Sequence, residues 1–161
     1  MRLMFDIECY VNYFLLGLKN LDTGNKMYFE MRNDNDADFD RAKMKRLITG
    51  HTIVGFNSEN YDIPVTNAAI HGATNAELKN LSDNIIVKGL RYWQVNRNLP
   101  RLNVDHIDLI NIAPGFGSLK LYGGRLNAPK MQDLPIEPSE TISVKDAKDL
   151  RDYCLNGDLE L

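Results

Sequence analysis

Arg2-Leu3-Met4-Phe5-Asp6-Ile7-Glu8-Cys9-Tyr10 mixes apolar and β-favouring residues near the front of the chain and reads as a β-strand. Side chains two apart on a strand point to the same face, so the carboxylates of Asp6 and Glu8 project together. Like charges held that close repel unless a cation sits between them, which makes the pair a candidate site for Mg2+ or Mn2+. Taken alone, the same D-x-E decorates the solvent face of many strands, and that reading stays open here.

Working outward, Tyr13 to Lys19 repeats the strand character, and Asp22-Thr23-Gly24-Asn25 is a turn cluster leading into Lys26 to Met31. These segments predict an antiparallel three-stranded meander. Asn33 to Asp38 supplies cap candidates for a helix over Phe39 to Ile48 ended by Gly50, and Thr52 to Phe56 is a short apolar strand. A β-α-β unit thus follows the meander, so the fold class expected is α/β, with a mixed sheet of antiparallel and parallel strands and helices on both faces. Further along, helices are expected from Asp62 to Ile70, from Asn75 to Val87 with Thr74 as cap, over Ser118 to Leu126, and from Val144 to Leu161. Val104 to Ile112 reads as a strand, and Gly89 to Arg101 as an extended loop or edge hairpin.

The 161 residues, 43% hydrophobic and 25% charged, have the balance of one globular domain spanning 1–161. No apolar stretch approaches the roughly 20 residues that cross a bilayer, and Asp6 and Glu8 interrupt any signal-peptide core, so a cytoplasmic protein with no membrane partner is expected. Cys9 and Cys154 form no metal-binding or disulfide spacing and read as buried thiols. The net charge is −3, but its distribution is uneven: Lys88 to Lys130 carries seven Lys/Arg against two Asp, between acidic flanks. That pattern suits a chain gripping phosphates in one place and metals in another, or equally a solvated basic loop.

Two further constellations carry chemistry. Val54-Gly55-Phe56-Asn57-Ser58-Glu59-Asn60-Tyr61-Asp62 runs a strand into a polar turn and delivers an aromatic-Asp pair to a helix start, where Asp62 serves either as ligand or as cap. Tyr153 and Asp158 fall on the last expected helix. His51, His71 and His106 read as structural, whereas Trp93 beside Tyr92, among Arg91, Arg97 and Arg101, is a candidate to stack single-stranded nucleic acid as well as a candidate hairpin anchor.

D-x-E on a first strand, N-x3-[FY]-D after a later strand and Tyr before Asp on a last helix together resemble the DEDD exonucleases, which have a ribonuclease H-like fold. GFNSENYDIP and YCLNGDLEL look most like the proofreading domains of phage and bacterial DNA polymerases, with support from His106-Ile107-Asp108-Leu109, Ser118-Leu119-Lys120-Leu121 and Gly124-Arg125-Leu126-Asn127. The resemblance implies two-metal hydrolysis at a single-stranded DNA 3′ end, releasing nucleoside 5′-monophosphates. It implies that Asp6 bridges two Mg2+ or Mn2+ ions, Glu8 and Asp158 complete one, Asp62 serves the other through water, and Tyr153 orients the attacking water. It also places Asn57 at the terminal nucleotide, Ile7, Tyr10, Phe56 and Tyr61 as wedging or stacking groups, and Trp93, Lys120 and Arg125 among the substrate contacts. A covalently linked polymerase domain following residue 161 is the partner it suggests.

Tyr153 and Asp158 enclose four residues, where the tyrosine branch of that family encloses three. At 100° per residue, helical positions five apart diverge by about 140°. A one-residue π-bulge at Asn156-Gly157 is the favoured remedy; the alternatives are that Tyr153 stands where the histidine branch, which has this longer spacing, carries its histidine, or that the insertion impairs catalysis. An exoribonuclease of the same superfamily, and a nucleic-acid-binding module with a degenerate site, are the competing expectations.

Overall fold

The computed structural model describes residues 1–32 and 38–161. Its sheet is built from β1 (Arg2–Tyr10), β2 (Tyr13–Asn20), β3 (Lys26–Arg32), β4 (Thr52–Gly55) and β5 (Asp105–Asp108) in the order β3-β2-β1-β4-β5. The first three strands pair antiparallel, and β4 joins β1, and β5 joins β4, in parallel. The α/β class with an open mixed sheet expected from the sequence is the one observed, a layout compatible with a ribonuclease H-like sheet.

Among the described residues, six α-helices accompany the strands: α1 (Arg41–Gly50), α2 (Asp62–Ile70), α3 (Asn75–Ile86), α4 (Tyr92–Val95), α5 (Leu119–Arg125) and α6 (Val144–Asn156). Side-chain alternation divides β1 cleanly. Leu3, Phe5, Ile7 and Cys9 join α1, α2 and α3 in one core with Met44, Ile48, Val65, Ala69 and Leu78. Tyr10, with Tyr13 and Leu15 of β2, faces the other way into a smaller core with Ala147, Leu150 and Cys154 of α6. By the same period-two rule Asp6 and Glu8 belong to the α6 face of the sheet.

Several expectations shift. Of the cap candidates in 33–38 only Asp38 lies within the described residues, and α1 is capped by Asp40, whose carboxylate accepts from the Lys43 amide at 2.8 Å. Gly50 closes α1 from inside its last turn. Thr74 caps α3 through a reciprocal capping box with Glu77, as its position suggested. The 89–101 segment is neither extended nor a hairpin: it holds the single turn α4. The strand expected over 104–112 ends at Asp108, because Leu109–Asn111 tightens into a 3-10 turn whose Ile110 amide folds back on the Asp108 carboxylate. The last helix ends at Asn156, and Asp158–Glu160 forms a separate 3-10 turn.

Candidate active site

Asp6 and Glu8 sit in the middle of β1, paired with Gly17 and Leu15 of β2. α6 crosses this face, and the absence of a side chain at Gly17 lets it approach: a Cβ there would lie 2.6 Å from Cys154 Sγ. The same thiol reaches Asp6 Oδ2 at 3.8 Å. Cys9 and Cys154 are both free and buried, as expected.

The five-residue step from Tyr153 to Asp158 is resolved without a π-bulge, which corrects that expectation. α6 simply stops. The Gly157 amide still donates to the Tyr153 carbonyl at 2.8 Å, but its backbone turns to φ −111°, ψ −84°, and the Glu160 amide then closes on the Gly157 carbonyl at 3.0 Å. A Cβ at residue 157 would collide with the Tyr153 carbonyl and come within 2.9 Å of Gln132 Oε1, so glycine is required for the break. The break turns Asp158 back toward the sheet, where its carboxylate and the Tyr153 hydroxyl are close enough to shift one another. Carboxylate oxygens of Asp6, Glu8 and Asp158 all lie within 4.8 Å of one another.

Asp62 enters from a different direction, as the first residue of α2. It is buried and lines a small cavity of about 80 Å3 with Asp6, Phe56 and Asp158. The charges confirm proximity. Burial first, then Glu8, Asp62 and Asp158, push the Asp6 carboxyl well above the usual carboxylate range, against the Ile7 backbone amide. Burial, then Asp158 and Asp62, do the same to Glu8, opposed by the Lys120 ammonium. Burial raises Asp158, opposed by the Tyr153 hydroxyl and Lys120. Burial raises Asp62 to about 7, with Asp108 adding to the shift. Burial and the neighbouring carboxylates hold the Tyr153 phenol far above its normal range, so it is a fixed neutral donor.

The loop between β4 and α2 is held by a residue whose role the sequence did not expose. Asp108, at the end of β5 and level with Gly55, accepts from the amides of Asn57 at 2.7 Å and Glu59 at 2.9 Å, and from Ile110 at 3.2 Å. Asn57 takes a left-handed φ of 56° in that loop, a conformation asparagine tolerates. An acidic residue ending a strand is the one signal that could have found it. His106 Nε2 meets Ser58 Oγ at 2.8 Å, and Tyr61 Oη meets Ser82 Oγ at 2.8 Å, locking the same loop from two sides. His51 and His71 bond the Leu47 and Asn67 carbonyls, so all three histidines have structural partners.

Phe56, Asn57, Tyr61 and Asp62 also line a chamber of about 420 Å3 with Ile85 and Ile86 of α3. Phe56 and Asp62 are common to this chamber and to the carboxylate cavity. Lys120 on α5 stands 5.9 Å from the centre of the Tyr153 ring. Four residues expected at the site lie elsewhere. Ile7 packs in the larger core, and Tyr10 is buried in the smaller one with its hydroxyl on the Ile136 carbonyl at 2.8 Å, so neither presents a face for stacking. Trp93 lines a separate cleft, and Arg125 is exposed at the end of α5.

Among the described residues no helix is long and apolar enough to cross a membrane. Comparison of the chain with protein-family models, with curated proteins and with solved structures found no match.

Proposed function

We propose that the chain is a metal-dependent 3′→5′ exonuclease that removes nucleotides from a single-stranded DNA end. The observation that carries the reading is the convergence of Asp6, Glu8 and Asp158 within 4.8 Å, with Asp62 beside them on the same cavity. Asp6 and Glu8, raised by burial and by neighbouring carboxylates, and Asp158, raised by burial, with Lys120 opposing the shifts of Glu8 and Asp158, are an arrangement that a divalent ion relieves. The all-oxygen donor set fits Mg2+ or Mn2+. Asp6, Glu8 and Asp158 would hold one ion, and Asp6 with Asp62 a second. Bound there, such ions supply an activated water and stabilise charge on the leaving 3′ oxygen.

The chain's own groups do the rest. Tyr153 keeps its proton beside Asp158, so it orients by donating rather than by titrating. The chamber behind Phe56 and Asn57 has room for a terminal nucleotide, and the Phe56 ring offers an apolar face that accepts any base. Lys120 brings positive charge to the carboxylate rim, where a scissile phosphate would sit.

Matched 5′-labelled DNA and RNA strands, incubated with Mg2+ or Mn2+, test this. The expected result is stepwise shortening of DNA from its 3′ end, abolished by chelation and reduced about 10³-fold or more by Asp6→Ala, the scale of several kcal/mol of lost metal stabilisation. Shortening of RNA alone would assign the site to an exoribonuclease. Binding without cleavage in either metal would make the chain a non-hydrolytic nucleic-acid module.

A further inference from the structure

A cleft of about 530 Å3 lies outside the carboxylate site, and Asp6, Glu8 and Asp158 take no part in it. One wall comes from α4 and the segment after it: Tyr92 and Trp93, whose rings meet edge to face at 5.3 Å, followed by Arg97 and Arg101. Trp93 is 58% exposed, and both arginines are exposed with no ion pair among the described residues. This is the opposite of how a hairpin-anchoring tryptophan packs.

Two amides on the cleft lining have fixed orientations. Asn67 of α2, 4% exposed, donates Nδ2 to the Pro100 carbonyl at 3.1 Å, and Asn96 donates Nδ2 to the Pro64 carbonyl at 3.2 Å. A carbonyl only accepts, so each amide nitrogen must face it and each Oδ1 must point away. Each Oδ1 is itself sealed from solvent, so the two amides brace the cleft wall rather than face into the cleft. The cleft also touches two acids. Asp108 is occupied by three backbone amides, and Glu59 stands in the loop it clamps.

We propose that this cleft is a second nucleotide-binding site, taking a nucleoside phosphate. The base stacks on Trp93, and Arg97 and Arg101 hold the phosphate. The same chemistry describes a free nucleotide and one residue of a single strand. The cleft backs onto the loop that carries Asn57, since Asp108 lines it while holding the Asn57 amide.

Trp93 is the sole tryptophan, so its fluorescence reports the cleft directly. The metal-free protein in chelator is titrated with dAMP, with dTMP and with a short oligo-dA, conditions in which no hydrolysis interferes. The outcome therefore stands apart from the exonuclease reading. Saturable quenching is expected with both mononucleotides, since stacking on Trp93 tolerates any base. Arg97→Ala with Arg101→Ala should weaken it about tenfold or more while circular dichroism stays unchanged, both side chains being exposed. Saturation by the mononucleotides alone identifies a free-nucleotide site, and saturation only by oligo-dA a strand-binding one. No saturable change with either probe, or quenching unaffected by the arginine pair, or quenching lost instead in Phe56→Ala, would overturn the proposal.

Discussion

At the scale of single residues, two glycines set the geometry of the carboxylate cluster. Gly17 lets Cys154 lie against Asp6, and Gly157 ends α6 so that Asp158 returns to the Tyr153 side. A methyl group at 157 must displace the Tyr153 carbonyl, and a displacement of about 1 Å at a reacting centre costs about 10²-fold in rate. Gly157→Ala is therefore expected to cut DNA hydrolysis by that order while costing only ~1–3 kcal/mol of stability, the usual toll of overpacking. Single-turnover rates and denaturant melts separate the two effects. Gly17→Ala should show the reverse balance, a larger loss of stability from separating α6 and β2, together with loss of activity.

Among the elements, the β4–α2 loop is the one whose order depends on a distant strand. Asp108 supplies the acceptors for Asn57 and Glu59, so Asp108→Ala leaves buried amides unpaired at ~1–3 kcal/mol. Activity on single-stranded DNA is expected to fall at least tenfold with KM rising, because Asn57 and Phe56 shape the nucleotide chamber rather than the reacting centre. Asp108→Asn, which keeps one acceptor oxygen, should recover part of both.

Where local signals were strong the sequence read well at this scale. The meander followed from strand composition and the Asp22–Asn25 turn, and α3 from the Thr74 cap. Asp6 and Glu8 were legible because strand periodicity alone puts them on one face. Asp158 was named from the resemblance and does join them, but its route was not legible: the expected bulge is instead a helix end at Gly157, where a Cβ would meet the Tyr153 carbonyl and Gln132. Tyr10 misled for a related reason. Its place next to the D-x-E pair suggested the site, but Tyr10 faces the smaller core, where its ring fills space under the 134–142 loop and its hydroxyl finds Ile136. Ile7 failed more simply, because the same alternation that exposes Asp6 and Glu8 to one face buries Ile7 on the other.

Across the whole molecule, the carboxylate cluster lies where the α6 side of the sheet meets the α2 side, so its charge acts on both halves of the fold. α6 is tied down independently, through Arg151 to Glu30 at 2.6 Å, and the turn after it through Lys19 to Glu160 at 2.7 Å. The cluster opposes those ties when ionised. A carboxyl whose folded pKa is raised contributes stability that is complete below its unfolded value and lost as pH rises through the folded one. For Asp62 that window runs from 3.8 to about 7, and Asp6, Glu8 and Asp158 shift in the same direction. In chelator the Tm is therefore expected to fall between pH 5 and pH 8, and Asp62→Asn should flatten that fall by removing its best-defined contributor. For a chain of this length each kcal/mol is worth about 2–4 °C. Mg2+ or Mn2+ reverses the sign, since a cation favours the ionised carboxylates, so the rise in Tm on adding metal should grow from pH 5 to pH 8 and vanish in Asp6→Asn. Thermal melts over that pH range, with and without metal, check both halves. A metal-induced rise that is the same at every pH would mean that the ion binds somewhere other than these carboxylates.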